Sequence, residues 1–162
     1  MTDAQARVER LRHLGFTGSR HGMTEGQKAT VASLVRNFAY LHHGDCIGAD
    51  SDAHDIGMSD GALLCVHPPN DPRLRAYRPA DLLYDEKPYH DRNRDIVNAC
   101  DLLVATPAET SEQPSGGTWY TVRYAREVGK ETVIVWPDGT TAVEGTDAEV
   151  SELAEDVVDG SA

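Results

Sequence analysis

Three glycine-rich segments carry hydroxyl or arginine side chains, and each precedes a predicted helix. They are residues 15–20 (GFTGSR), 44–50 (GDCIGAD) and 114–118 (PSGGT). The first turn of a helix has N–H groups without partners and about half a positive charge, and glycine lets a phosphate come close to the backbone. Arg20 adds a fork of donors that suits a phosphate. These residue types predict a site for the phosphate of a nucleotide or a related metabolite.

The candidate binding residues combine these segments with side chains that we expect to face them. Arg92 lies near the start of a predicted helix, and His54 lies four residues after Asp50, so both are expected near the same site. Each glycine taken alone also fits a simple turn, and Asp50 also fits a helix N-cap. No G-K-[ST] ending of a P-loop and no G-x-G-x-x-G pattern occurs. The candidates are Thr17, Gly18, Ser19, Arg20, Gly44, Gly48, Ala49, Asp50, His54, Arg92, Gly116, Gly117 and Thr118.

Short apolar runs alternate with helix-like stretches, which is the pattern of a parallel sheet with helical crossovers. Thr24 and Gln27 have the spacing of a capping box. The predicted strands are residues 11–16, 40–43, 62–66, 101–106 and 132–136. The predicted helices are 27–38, 51–58, 89–99 and 118–128, with a long loop over 67–88. We therefore predict an α/β fold with one doubly wound, Rossmann-like, mostly parallel five-stranded sheet and helices on both faces.

The sheet predicts where the glycine-rich segments meet. Each of the three follows a different strand, and the carboxyl ends of parallel strands share one edge of the sheet. Ligands of open α/β sheets bind outside that edge. The shared position, more than any single glycine, favours a binding site.

The chain is predicted to hold one folded domain and a tail. Its 162 residues suit a single domain, which we place at residues 1–139. Residues 140–162 contain seven Asp and Glu residues and neither Lys nor Arg. This composition is typical of a flexible segment.

Charge and cysteine content exclude several function classes. The formal net charge is −12, from 15 Lys and Arg against 27 Asp and Glu, which argues against nucleic acid and anionic membranes as partners. No apolar run is long enough to span a membrane, and no secretory signal is visible. The three cysteines are scattered and no zinc-ligand spacing occurs. We expect a cytoplasmic protein with neither a metal nor a cofactor.

Four segments together resemble the SLOG superfamily, a Rossmann-like group that includes DprA/Smf, the LOG proteins and the molybdenum-cofactor carrier-like proteins. The segments are GFTGSR, HHGDCIGADSDAH, YHDRNRDIV with DLLVATP, and GGTWYTVRYA. The resemblance spans about residues 11–139. It implies a nucleotide or nucleotide-derived ligand at the carboxyl edge of the sheet, and it implies a homodimer.

The resemblance also implies roles for individual residues. LOG enzymes are phosphoribohydrolases, which cleave the N-glycosidic bond of nucleoside 5′-monophosphates. Arg92 stands at the place of their arginine, Asn93 replaces their lysine, Asp101 keeps the spacing of their aspartate, and 117–118 match their Gly-Thr pair. The place of their catalytic glutamate falls on Thr121, which we add to the ligand-binding candidates. Threonine supplies no carboxylate to activate water or stabilise an oxocarbenium-like centre.

Three functions remain open from the sequence. The first is binding of a small phosphorylated, nucleotide-like ligand without LOG catalysis. The second is a phosphoribohydrolase or deoxyribosyltransferase-like glycosidase, with Arg92 and either Asp50 or Asp52 as catalytic residues. The third is a phage-type protein that sequesters a signalling nucleotide.

Overall fold

The computed structural model describes residues 12–145. Seven strands form one sheet: β1 His13–Gly18, β2 Tyr40–His43, β3 Leu63–Val66, β4 Leu82–Leu83, β5 Leu102–Thr106, β6 Thr132–Val135 and β7 Thr141–Glu144. The helices are α1 Glu25–Val35, α2 Ala49–Ser59, α3 Tyr89–Ala99 and α4 Gly117–Glu127, with a short 3₁₀ turn at Pro72–Leu74. Among these residues no helix has both the length and the apolar character of a membrane span.

The strand order places a topological switch point beside β1. The order is β4-β3-β2-β1-β5-β6-β7, and every neighbouring pair is parallel except β6 with β7. The chain leaves β1 toward β2 on one side and later returns to β5 on the other side. A crevice therefore opens where the connections after β1 and β5 diverge. The predicted doubly wound, mostly parallel α/β fold is confirmed.

The sheet has seven strands, so the predicted count of five was wrong. The additional strand β4 has only two residues, both exposed, and lies inside the region predicted as a long loop. The additional strand β7 pairs antiparallel with β6 through a turn in which Gly139 has a φ of 87°. Neither strand has the continuous apolar run that marks the buried strands.

The strand β7 also bears on the predicted tail. Residues 141–144 belong to the sheet although the acidic segment was predicted to begin at 140. The rest of that segment, from 146 onward, lies outside the described residues. The proposal of a flexible tail therefore concerns residues 146–162 alone.

Alternate side chains of the central strands pack against helices on opposite faces of the sheet. On one face Leu102 and Val104 pack in a cluster with α1 and α2 residues such as Val31. On the other face Leu103 packs with residues of α3 and α4, and Ala105 packs with residues of α4. Successive side chains of a strand point to opposite faces of the sheet. Because helices cover both faces, each central strand contributes to the core on both sides.

The predicted capping box starts α1 and ties that helix to the site edge. The Thr24 hydroxyl accepts from the Gln27 N–H, and the Gln27 side chain accepts from the Thr24 N–H, both at 3.0 Å. The Gln27 amide also donates to the carbonyls of Pro107 and Val135, each at 2.9 Å. One buried side chain thus fixes α1 to the carboxyl ends of β5 and β6.

Candidate functional site

A cavity of ≈ 500 Å³ occupies the crevice at the switch point; we call it the main cavity. The loop after β1 forms one wall, and the loop after β5 together with the first turn of α4 forms the other. Tyr89, at the start of α3, completes the lining. The lining residues are Gly18, Ser19, Arg20, His21, Tyr89, Ala108, Glu109, Gln113, Ser115, Gly116, Gly117, Thr118 and Trp119.

Backbone hydrogen bonds hold the loop after β1 against its neighbours. The Ser19 N–H donates to the Thr106 carbonyl at 3.2 Å, which joins this loop to the end of β5. The Ser19 carbonyl accepts from the Ala49 N–H at 2.9 Å, which joins it to the start of α2. The Ser19 hydroxyl accepts from the His21 N–H at 3.1 Å. The wall of the main cavity is therefore rigid where Ser19 contributes to it.

Two of the candidate glycines serve close packing. A Cβ at Gly18 would lie 2.3 Å from the Thr106 hydroxyl oxygen. Gly48 has a φ of 97°, and a Cβ there would lie 2.3 Å from the Arg20 carbonyl oxygen. Both values are below any real contact, so these positions require glycine for the loops to meet. Gly48 shapes the site from behind and does not line the main cavity.

The first turn of α4 faces the main cavity with uncapped N–H groups. Gly116 is its N-cap residue, has a φ of 103°, and gives no side-chain cap. A Cβ at Gly117 would overlap the Tyr89 hydroxyl, so glycine lets that ring pack against the helix start. The free N–H groups and the helix dipole make this end attractive to an anion. The structure places Gly116, Gly117 and Thr118 at this helix start, beside the loop of Ser19, and their contact with a ligand stays a prediction.

Arg20 is the cation of the main cavity. Its guanidinium lies 5.8 Å from the centre of the Tyr89 ring. Within residues 12–145 it forms no ion pair with a carboxylate. Its donors therefore remain available to an anionic ligand.

A second, much smaller space of ≈ 10 Å³ lies next to the main cavity; we call it the inner pocket. Gly18, Arg20 and Tyr89 line both spaces and so lie between them. The other residues of the inner pocket are Phe16, Thr17, Gly44, Cys46, Asp50, Arg92, Asn93 and Ile96. Four of the predicted site residues, Thr17, Gly44, Asp50 and Arg92, thus belong to this pocket and not to the main cavity.

Arg92 is 2% exposed, and the protein itself uses its donors. One terminal nitrogen donates to the Gly44 carbonyl and, at 3.1 Å, to the His67 carbonyl. Its Nε donates to the Asn93 side-chain oxygen at 2.8 Å. Because these bonds tie α3 to the ends of β2 and β3, Arg92 positions the loops beneath the site. Its predicted contact with a ligand stays a prediction.

The bond from Arg92 leaves the Asn93 amide with a donor that the described residues do not use. Its oxygen accepts from Arg92, which turns the amide nitrogen Nδ2 elsewhere, and that buried nitrogen has no partner in the part of the chain that the structure describes. The inner pocket has about the size needed for one water molecule. This amide is a buried polar group of the pocket whose hydrogen bonding the described residues leave open.

Asp50 lies buried in the inner pocket. Its Oδ2 accepts from the Cys46 N–H at 3.1 Å. Burial raises the pKa of Asp50 to about 6, and the positive charge of Arg92 opposes that rise. The helix α2 begins at Ala49 with Gly48 as its N-cap, so Asp50 is not the cap. Asp52 accepts from the Met23 N–H at 2.9 Å and thereby fixes the loop after β1.

Three further residues named from the sequence lie away from the main cavity. His54 is buried against β2, where its Nδ1 pairs with the His43 Nε2 at 2.9 Å. Thr121 is buried in α4, where its hydroxyl donates to the Gly117 carbonyl at 2.8 Å. Asp101 lies before β5 and accepts from the His13 N–H at 2.8 Å, at the opposite edge of the sheet. Only Thr121 is near the site, and it does not line the main cavity.

Glu109 and Trp119 line the main cavity and were missed. Glu109 comes three residues after the end of β5, and its Oε1 accepts from the Trp119 indole N–H at 2.7 Å. Their position directly after a strand and in the first turn of a helix is the signal that could have identified them. The resemblance to LOG enzymes places a catalytic carboxylate at the position of Thr121, and the glycosidase hypothesis named only Asp50 and Asp52 in its stead.

Solved structures with a similar fold were found by structural comparison. The molybdenum cofactor binding protein of Rippkaea orientalis superposes with a TM-score of 0.63 at 17% identity, over 93% of this chain and 86% of that one. DNA processing protein A (DprA) of Streptococcus pneumoniae gives 0.59 at 19% identity, over 96% of this chain but only 58% of that one. The structural genomics target TM1055 gives 0.56 at 12% identity, over 75% and 72%.

Sequence comparison gives no such match. No family model matches the chain, and no curated protein does. At identities below 20% the structural likeness concerns the fold. The chain therefore shares the Rossmann-like α/β fold of these three structures.

Proposed function

We propose that the protein binds a nucleotide-type phosphorylated ligand in the main cavity. The phosphate lies against the uncapped first turn of α4 and the Arg20 guanidinium, with the Ser19 hydroxyl beside them. The observation that carries this proposal is the convergence of these donors on one cavity at the switch point of the sheet. The cavity volume of ≈ 500 Å³ falls within the range of small-molecule sites, about 300–1,000 Å³.

Binding without LOG-type catalysis is the function that the geometry supports best. Asp50 lies in the inner pocket, and Asp52 accepts a hydrogen bond from the Met23 N–H. Neither of the aspartates considered for a glycosidase therefore lines the main cavity. Sequestration of a signalling nucleotide is a form of the same binding. Mass spectrometry of ligand released from the purified protein would identify it. The homodimer and the cytoplasmic location stay predictions.

Replacing Arg20 with alanine is expected to weaken phosphate binding by about 10- to 100-fold, because charge-assisted hydrogen bonds are lost. Isothermal titration calorimetry with inorganic pyrophosphate, nucleoside 5′-monophosphates and ADP-ribose measures this change. A ligand at 100 times its Kd should also stabilise the protein by about 2.7 kcal/mol in thermal unfolding.

The matched control is Arg36→Ala, which removes the same charge from the exposed end of α1. It should bind every ligand like the native protein. The proposal fails if no probe at millimolar concentration raises the melting temperature of the native protein. It also fails if the two arginine variants weaken binding equally.

A further inference from the structure

We propose that Glu109 makes the main cavity selective for a ligand that carries neighbouring free hydroxyl groups, such as the 2′,3′-diol of a ribonucleotide. This inference rests on the proposed function, since it concerns the same cavity. It assigns to Glu109 the recognition of the sugar, while Arg20 and the start of α4 hold the phosphate.

The carboxylate of Glu109 is held in place with one oxygen to spare. Its Oε1 accepts from the Trp119 Nε1–H at 2.7 Å, and Trp119 is itself 1% exposed in the first turn of α4. Because that indole is fixed by its packing, it fixes the direction of the carboxylate. The other oxygen, Oε2, has no hydrogen-bond donor among residues 12–145, and Glu109 borders the main cavity.

Glu109 is the one acidic residue in a lining that otherwise offers donors. The neighbouring acid of the same loop, Glu112, pairs with Arg126 at 2.9 Å and lies outside the lining. Glu109 has no basic partner in the part of the chain that the structure describes. A free carboxylate is thus set into a cavity built for an anion.

An ionised carboxylate only accepts hydrogen bonds, and it repels a phosphate placed beside it. A bare phosphate or pyrophosphate therefore gains nothing from Glu109 and is disfavoured by it. A ligand with two adjacent hydroxyls some distance from its phosphate gains charge-assisted bonds to the carboxylate. A ribonucleotide has both features, so the mixed lining of the main cavity fits it better than it fits a simple anion.

The test compares native protein with Glu109→Gln. Glutamine keeps the size of the side chain and an oxygen that accepts from Trp119, but it removes the charge. Calorimetric titrations use adenosine 5′-monophosphate, its 2′,3′-dideoxy form and inorganic pyrophosphate. The native protein should bind the monophosphate about 10-fold more tightly than the dideoxy form, and the variant should lose this preference.

Pyrophosphate should respond in the opposite direction. Its affinity should rise a few-fold in Glu109→Gln, because a repulsive charge has gone, while the affinity for the monophosphate falls. The matched control Glu112→Gln removes the same charge from the same loop and should leave all three affinities unchanged. Unfolding by urea, followed by tryptophan fluorescence, checks that both variants keep the native fold.

The outcomes separate this inference from the proposed function. If the native protein binds pyrophosphate in an Arg20-dependent way but does not distinguish the two monophosphates, Glu109 has no part in sugar recognition. The same conclusion follows if Glu109→Gln keeps the native preference. If neither the monophosphates nor pyrophosphate bind the native protein, the proposed function itself is wrong.

Discussion

Replacing Arg92 with alanine is expected to lower the free energy of unfolding by about 3–5 kcal/mol, because two buried carbonyls lose their donor and a large cavity opens. The carbonyls are those of Gly44 and His67, and Arg92 is among the largest fully buried side chains. Urea unfolding at pH 7.5 measures the loss. The result would identify Arg92 as a residue that positions the loops after β2 and β3.

Two variants control for this effect. Arg92→Lys keeps the positive charge but loses the fork of donors, and we expect it to recover only part of the stability. Arg94→Ala removes an arginine of the same helix whose Nε donates to the Tyr120 hydroxyl at the surface, and it should cost less than about 1 kcal/mol. A stable Arg92→Ala variant that has lost its ligand would instead show that Arg92 serves binding.

Acidification from pH 7 to pH 4.5 is expected to destabilise the protein by roughly 3 kcal/mol or more, because buried neutral histidines resist protonation. Imidazoles of β1, β2 and the loop after β3 form a chain. His13 Nδ1 meets His42 Nε2, and His42 Nδ1 meets His67 Nε2, each at 2.9 Å. Burial, with a smaller contribution from His13, lowers the pKa of His42 to about 4 against the opposing charge of Asp101.

The other buried histidines act in the same direction. Burial and the neighbouring His42 lower the pKa of His67 to about 3, although Asp95 opposes the shift while Arg92 and Lys87 add to it. On the opposite face burial lowers the pKa of His43 well below its usual value. These side chains take up protons near pH 6.5 when unfolded but not when folded. The stability that depends on their neutral state is therefore fully present above pH 6.5, and it is lost as the pH falls.

Asp50 works against this trend. Because its pKa is raised to about 6, the folded state binds a proton that the unfolded state does not bind between about pH 6 and pH 4. Falling pH relieves the cost of its buried charge and offsets part of the loss from the histidines. Burial also lowers the pKa of His54, so four histidines oppose one aspartate and leave a net decrease in stability.

Urea unfolding at several pH values from 7.5 to 4.5 tests this prediction. His42→Asn should flatten the dependence of the unfolding free energy on pH. His90→Asn, which changes an exposed histidine at the start of α3, should leave that dependence as it is in the native protein. An unfolding free energy that stays constant or rises toward pH 4.5 would contradict the role given to the buried imidazoles.

Most strands and helices could be predicted because local sequence patterns mark where they lie. Continuous apolar runs mark strands covered on both faces, and the capping box of Thr24 and Gln27 marks the start of α1. The α3 bounds, Tyr89–Ala99, agree with the prediction to the residue. The strand β4 escaped because a two-residue exposed edge strand has no periodic pattern of its own.

The site could be predicted only to the level of its loops. Strand order decides which loops share a crevice. In this fold Ser19 lies opposite the start of α4 in the main cavity, whereas Asp50 and Arg92 line the inner pocket. Side-chain directions within loops follow no period. The position of Glu109 after β5 marked its loop, but the sequence could not show that its side chain lines the main cavity while that of Glu112 does not.

The close approach of Gly48 to Arg20 has a consequence for mutational surveys. In a library selected for ligand retention, every substitution at Gly48 should be depleted as strongly as changes at Arg20, although Gly48 does not line the main cavity. Parallel selection for cellular abundance would separate the two positions. Gly48 variants should be scarce in both screens, whereas Arg20 variants should accumulate normally and fail only to retain ligand.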